Sequence, residues 1–106
     1  MSLGFVQVEG SSLNTIAVVV IGDSMWPTLR DGDTFEAVPF SDQAINVGDV
    51  VVFKDPTLTS RICVKRVVHV KPEGLFVQGD NPDPTASTDS HNYGLVSYEL
   101  LIGLKR

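Results

Sequence analysis

Apolar and β-branched residues fall along this chain in short blocks with a period of two, separated by clusters of Gly, Asp, Asn and Pro. No segment sustains apolar residues at i, i+3, i+4 and i+7 over the ten or so positions a helix needs. The pattern predicts an all-β fold. Its strands are expected at Phe5 to Val8, Thr15 to Ile21, Thr34 to Val38, Asp49 to Lys54, Arg61 to Val70, Leu75 to Gln78 and Glu99 to Leu104. A single helical turn is expected near Pro27 to Arg30. Turn chemistry marks Asp31-Gly32-Asp33, Asn46-Val47-Gly48-Asp49 and Lys71-Pro72-Glu73-Gly74. The polar stretch from Gly79 to Gly94 reads as one long loop without an element of its own. A loop of that length inside a compact domain is more often functional than idle, because ordering it costs entropy that something must offset.

Composition narrows the class. The 106 residues fit one domain spanning 1–106, and an apolar content of 42% supplies one core. The net charge is −5 with no compensating basic cluster, which argues against binding a nucleic-acid backbone. Cys63 is the only cysteine, so no intrachain disulfide can form. The longest apolar run, Ile16 to Ile21, is far short of the roughly 20 residues that span a bilayer as a helix. Met1-Ser2-Leu3 reads as a short expression leader, which would mean that residues have been removed upstream of Gly4, where an anchor could have stood.

Two residues invite a chemical reading. Ser24 follows an apolar strand and Gly22-Asp23, and it precedes a proline that forbids strand continuation. Its hydroxyl should sit at a strand end, where backbone amides are free to face a developing oxyanion. Taken alone, a serine after Gly-Asp is usually a turn residue. Lys65 lies mid-strand, grouped by alternation with Cys63 and Val67. The plain reading is a solvated edge-strand lysine. A lysine acting as a base must be neutral, and at pH 7 only about one in 2,500 is, a penalty of about 4 to 5 kcal/mol. Burial can depress a lysine pKa by roughly 3 to 5 units, so an apolar face beside Lys65 would remove most of that penalty.

Read as a set, these segments resemble signal peptidase I. Gly22-Asp23-Ser24-Met25-Trp26-Pro27-Thr28-Leu29 looks like its nucleophile box, continued by Asp31-Gly32-Asp33. Val47 to Phe53 and Val64 to Val68 resemble the strand pair that ends at the catalytic lysine. Gly79-Asp80-Asn81, Ser87 to Gly94 and Ile102-Gly103 are similar to the last box. The resemblance runs from about Val18 to Gly103. It implies coiled antiparallel sheets and a serine endopeptidase that removes a leader or signal segment from a precursor polypeptide through an acyl-enzyme. Ser24 would be the nucleophile and Lys65 its base. Ser87 would orient the lysine, Asp89 would fix the last box, and Gly22 and Met25 would flank the nucleophile. No cofactor and no metal is implied. The spacing of Asp80, Asp83 and Asp89 does not fit a calcium loop. The site of action would be the outer face of the cell membrane if an N-terminal anchor precedes the domain, and the cytoplasm otherwise.

Gly22 stands where some members carry a hydroxyl that completes the oxyanion hole, which leaves the oxyanion to backbone amides. His91 stands where many carry an arginine that pairs with the box aspartate, so a contact between His91 and Asp89 is expected. His69 falls on the Lys65 face roughly 13 Å further along and reads as structural. Three other readings remain. A LexA-type self-cleaving domain shares the Ser-Lys dyad, but neither Ala-Gly nor Cys-Gly occurs upstream of Ser24. A non-catalytic β domain would not need both residues. Within the preferred class, Ala86 to Ser90 also resembles the peptidases that mature nickel-type superoxide dismutase.

Overall fold

The computed structural model describes residues 6–11 and 15–105. Met1-Ser2-Leu3 and Phe5, the first residue of the first expected strand, lie outside them. Seven strands form one sheet: β1 (Val6–Ser11), β2 (Ile16–Val20), β3 (Thr34–Pro39), β4 (Val50–Asp55), β5 (Leu58–Lys71), β6 (Gly74–Gln78) and β7 (Leu101–Lys105). Their order is β1-β2-β3-β7-β4-β5-β6, and every neighbouring pair is antiparallel. The all-β expectation holds. The sheet coils far enough for β1 to touch β5, which is not its neighbour in the order.

Strand β4 explains why the sheet encloses two cores. Val50 and Val52 face one side, packing with Val18, Val20, Met25, Leu29, Ala37 and Val64. Val51 and Phe53 face the other, with Cys63, Val67, Leu75, Val77 and Val96. A strand buried on both faces reads as a continuous apolar run, and Val50-Val51-Val52-Phe53 is one. Coiling lets a single sheet act as both layers. The β4–β5 hairpin closes through Pro56-Thr57, with Asp55 paired to Leu58 and its carboxylate accepting from both the N–H and the hydroxyl of Thr57.

Three expectations need correction. First, the loop from Gly79 to Gly94 contains a four-residue helix, α1 (Ser90–Tyr93). Asp89 caps it, accepting from the His91 N–H, while the Asn92 side chain accepts from the Asp89 N–H. One turn is too short to show a helical period, but the Asp-x-x-Asn spacing was a cap signal. Second, Tyr98–Leu100 forms a 3-10 turn capped by Ser97, so β7 begins at Leu101 and not at Glu99. Third, the turn expected at Pro27 to Arg30 starts earlier, as a Met25 C=O to Leu29 N–H hydrogen bond of 2.9 Å, and does not extend into a helix. A bulge between Val67 and His69 also breaks the alternation of β5, so His69 is exposed and does not continue the buried face of Lys65.

Phe53 is fully buried between β5 and β7. Phe53→Ala should lower the unfolding free energy by about 3–5 kcal/mol, whereas Val38→Ala, at 36% exposure, should change it by less than about 0.5 kcal/mol. Urea denaturation of both variants checks the contrast.

Candidate active site

The loop that carries Ser24 is an excursion between β2 and β3 whose two ends are stitched together. Val20 N–H donates to Asp33 C=O and Gly32 N–H to Val20 C=O, both at 2.8 Å. At the exit from β2, Gly22 has φ +91°, a conformation that disfavours any side chain, and its N–H donates to Asp31 Oδ1 at 2.7 Å. Met25 and Leu29 then drop into the first core. Burying the residue next to Ser24 fixes the direction of the Ser24 side chain, which leaves on the opposite side toward β5. Trp26 stays 44% exposed at the rim.

Lys65 meets it there. Its backbone pairs with Val51 in the middle of the β4–β5 hairpin, and its side chain lies on the Cys63 and Val67 side. Lys65 Nζ is 3.0 Å from Ser24 Oγ and 3.2 Å from the Val64 carbonyl. Both residues are buried, Ser24 at 1% exposure and Lys65 at 0%. Burial drives the Lys65 amine below its ordinary 10.5, while the carboxylates of Asp89 and Asp55 pull the other way. Burial also pushes the Cys63 thiol up to about 11. That thiol stays protonated at neutral pH and is a poor nucleophile.

The segment after β6 closes the site. Asn81 donates twice to the Ser24 loop, from its N–H to the Ser24 carbonyl at 2.9 Å and from Nδ2 to the Asp23 carbonyl at 2.8 Å. Gly79 lies so close that a Cβ there would come within 2.6 Å of the Ser24 carbonyl oxygen and 2.7 Å of Ser87 Oγ. Asp89 accepts from the Gly79 N–H at 3.4 Å, and its Oδ1 lies 2.9 Å from His91 Nδ1. The expected contact of Asp89 with His91 is present. Ser87 reaches the neighbourhood of Ser24 through Gly79, and its buried Oγ has no hydrogen-bond partner, so no bond from Ser87 to Lys65 is formed here. An open cleft of about 470 Å³, lined in part by Gln78, Asn81, Ser87 and His91, runs alongside. Among the described residues no group of His, Cys, Asp and Glu could hold a metal ion.

Two supports went unassigned in the sequence. Arg66, next to Lys65, forms a two-pronged pair with Asp80, at 2.8 Å from Nε and 2.7 Å from Nη2, and donates to the Gly48 carbonyl. Burial raises the Asp80 carboxyl, but hydrogen bonds from Arg66 and Thr28 outweigh it and hold the group below its ordinary 3.8. Asp80 therefore joins the strand of Lys65 to the loop of Ser24. Asn81 is the other. Both lie inside the Gly79-Asp80-Asn81 box, but no periodicity tells which loop a side chain will reach.

A sequence profile described as "Signal peptidase, peptidase S26" matches residues 8–73. The chain belongs to this family. The matched span holds Ser24 and Lys65 and stops short of Ser87 and Asp89. Among similar proteins, mitochondrial inner membrane protease subunit 1 of Xenopus tropicalis is 32% identical over 108 residues, covering 81% of this chain and 64% of the relative. Mitochondrial ATP-independent inner membrane protease subunit 1a of Arabidopsis thaliana is 33% identical over 109 residues, covering 79% and 64%. The chain thus spans 64% of the length of either relative. In this S26 family member the region around Asp80 and Asn81 lies beyond the profile match, so the hydrogen bonds that tie it to Ser24 rest on the structure alone.

Two substitutions probe these supports. Asp80→Asn should cost about 1–2 kcal/mol at pH 7, between an exposed ion pair and a buried charge-assisted hydrogen bond. Because the folded-state pKa of Asp80 is lowered, its contribution is complete above the ordinary carboxyl value and is lost as pH falls through the lowered one. Wild type and Asp80→Asn should therefore converge in stability in strong acid, as measured by denaturation at both pH values. Gly79→Ala should displace the Ser24 carbonyl or Ser87 and slow any reaction of Ser24 by at least about tenfold, read by the rate of labelling with a serine-directed acylating inhibitor.

Proposed function

We propose that this chain is the catalytic domain of a serine endopeptidase that uses Ser24 and Lys65 to cut a leader or signal segment from a precursor polypeptide. The observation that carries the reading is the 3.0 Å approach of Lys65 Nζ to Ser24 Oγ with both residues buried. A buried amine with a lowered pKa is the form a lysine base requires. Neutral Lys65 accepts the hydroxyl proton as Ser24 Oγ attacks the scissile carbonyl carbon. The resulting ammonium gives that proton to the departing amine. Lys65, neutral again, then takes a proton from the water that hydrolyses the acyl-enzyme.

The negative oxygen formed in each step needs donors. Among the described residues the Ser24 N–H donates to no acceptor, and Gly22, two residues before it, supplies no hydroxyl. It is the natural oxyanion donor. Asp89 and the buried Ser87 shape the wall opposite the nucleophile loop, and a substrate or water reaching Ser87 Oγ would satisfy it. The names of both relatives place them at a mitochondrial inner membrane. That supports work on a membrane-side precursor, although no helix among the described residues is long and apolar enough to cross a membrane.

The test is acylation. A serine-directed acylating inhibitor should label Ser24, and the label should vanish in Ser24→Ala. Lys65→Met, which keeps the volume and removes the base, should slow labelling by about 10²–10⁴-fold. Because the reactive form is the neutral amine, the rate should rise with pH and level off above a midpoint lying below 10.5. A folded wild-type protein that takes no label at mildly alkaline pH would refute the proposal.

A further inference from the structure

We infer that Asn81 is the positioning residue of the oxyanion donor, a role that rests on the Ser24 and Lys65 reading above. The argument begins with one peptide plane. The carbonyl of Asp23 and the N–H of Ser24 belong to the same peptide unit, which is trans, since the cis bond found among the described residues is Trp26-Pro27. In a trans peptide the C=O and N–H point in opposite directions. Whatever holds the Asp23 carbonyl therefore aims the Ser24 N–H.

Two donors hold it. The Trp26 N–H reaches the Asp23 carbonyl at 3.1 Å, but it belongs to the same turn and moves with it. Asn81 Nδ2, at 2.8 Å, comes from outside, 58 residues along the chain. Asn81 is fixed in its own right. Its N–H donates to the Ser24 carbonyl, its Oδ1 accepts from the Asp83 N–H at 2.8 Å, and the adjacent Asp80 is locked to Arg66. The effect is to refer the orientation of the Ser24 N–H to the β5–β6 framework that also carries Lys65. Base and oxyanion donor are then set by one rigid unit, as preorganised electrostatic stabilisation requires. Without the Nδ2 bond the Asp23–Ser24 peptide can rotate about its flanking bonds, and Gly22 beside it offers little resistance.

The two ends of the Asn81 amide make the idea testable. Asn81→Asp keeps an acceptor for the Asp83 N–H and replaces the donor facing the Asp23 carbonyl with another acceptor. Asn81→Ala removes both ends and leaves the backbone donation to Ser24. Removing an oxyanion donor outright costs about 10²–10³-fold in kcat, so misaiming one that is still present should cost about 10–100-fold. With a peptide substrate, both variants should lose about that factor in kcat while KM stays within about twofold. The pH midpoint assigned to Lys65 should not move. A peptide aldehyde should bind more weakly by a similar factor, because adding Ser24 Oγ–H across its C=O gives a hemiacetal oxygen in the oxyanion position. A substrate-like peptide lacking the aldehyde should bind as to wild type.

Unchanged kcat in a folded Asn81→Asp protein would overturn the inference, as would a loss confined to KM. Failure of both variants to fold would assign Asn81 a structural role and overturn it too. If wild type itself showed no Ser24-dependent turnover, the dyad reading would fall and take this one with it, and that outcome is distinguished by the wild-type control alone.

Discussion

A lysine with no exposure to solvent, 3.0 Å from a serine hydroxyl, is the constraint around which the rest of this molecule is arranged. Taking an ammonium out of water costs several kcal/mol even after relaxation. Burial accordingly lowers the Lys65 pKa, and the carboxylates of Asp89 and Asp55 only partly oppose it. The surroundings follow from this. Phe53, Val67 and Val77 crowd the second core on the Lys65 side, Cys63 stays a protonated thiol, and the amine lies within hydrogen-bond distance of the Ser24 hydroxyl and the Val64 carbonyl.

The coiled sheet is what makes such burial affordable in so small a chain. A flat sheet of seven strands would leave one face wet, and a mid-strand lysine would take the wet face. Here β4 and β5 are covered on both sides because the sheet wraps around them, with β1 brought against β5. The loop that carries Ser24 is then fastened at both ends. Met25 and Leu29 pull it into the first core, and Asp80 and Asn81 tie it to the far side of β5 and β6. Ser24 is thus held by groups that share a framework with Lys65.

Most of this architecture was readable before any coordinates. The period-two blocks placed strands within a few residues of β2 through β6, because a half-buried or fully buried strand must alternate or run apolar. The boxes around Ser24, Lys65 and Gly79 carried family membership. What the pattern could not carry were features too short to show a repeat of their own. The single turn of α1, the 3-10 turn before β7 and the bulge that turns His69 outward each depend on one cap or one extra residue.

The sequence by itself determined the strands, the all-β class and the identity of the residues that could do chemistry, since those follow from local periodicity and residue type. Only the tertiary structure decided the surroundings of those residues. A lysine on an apolar strand face is buried or solvated according to whether a second layer covers it, and that layer comes from strands far away in sequence. The same holds for Asn81 and Asp80. Their side chains are ordinary loop polar groups until the coil of the sheet brings the Asp23 carbonyl, Thr28 and Arg66 within hydrogen-bond reach.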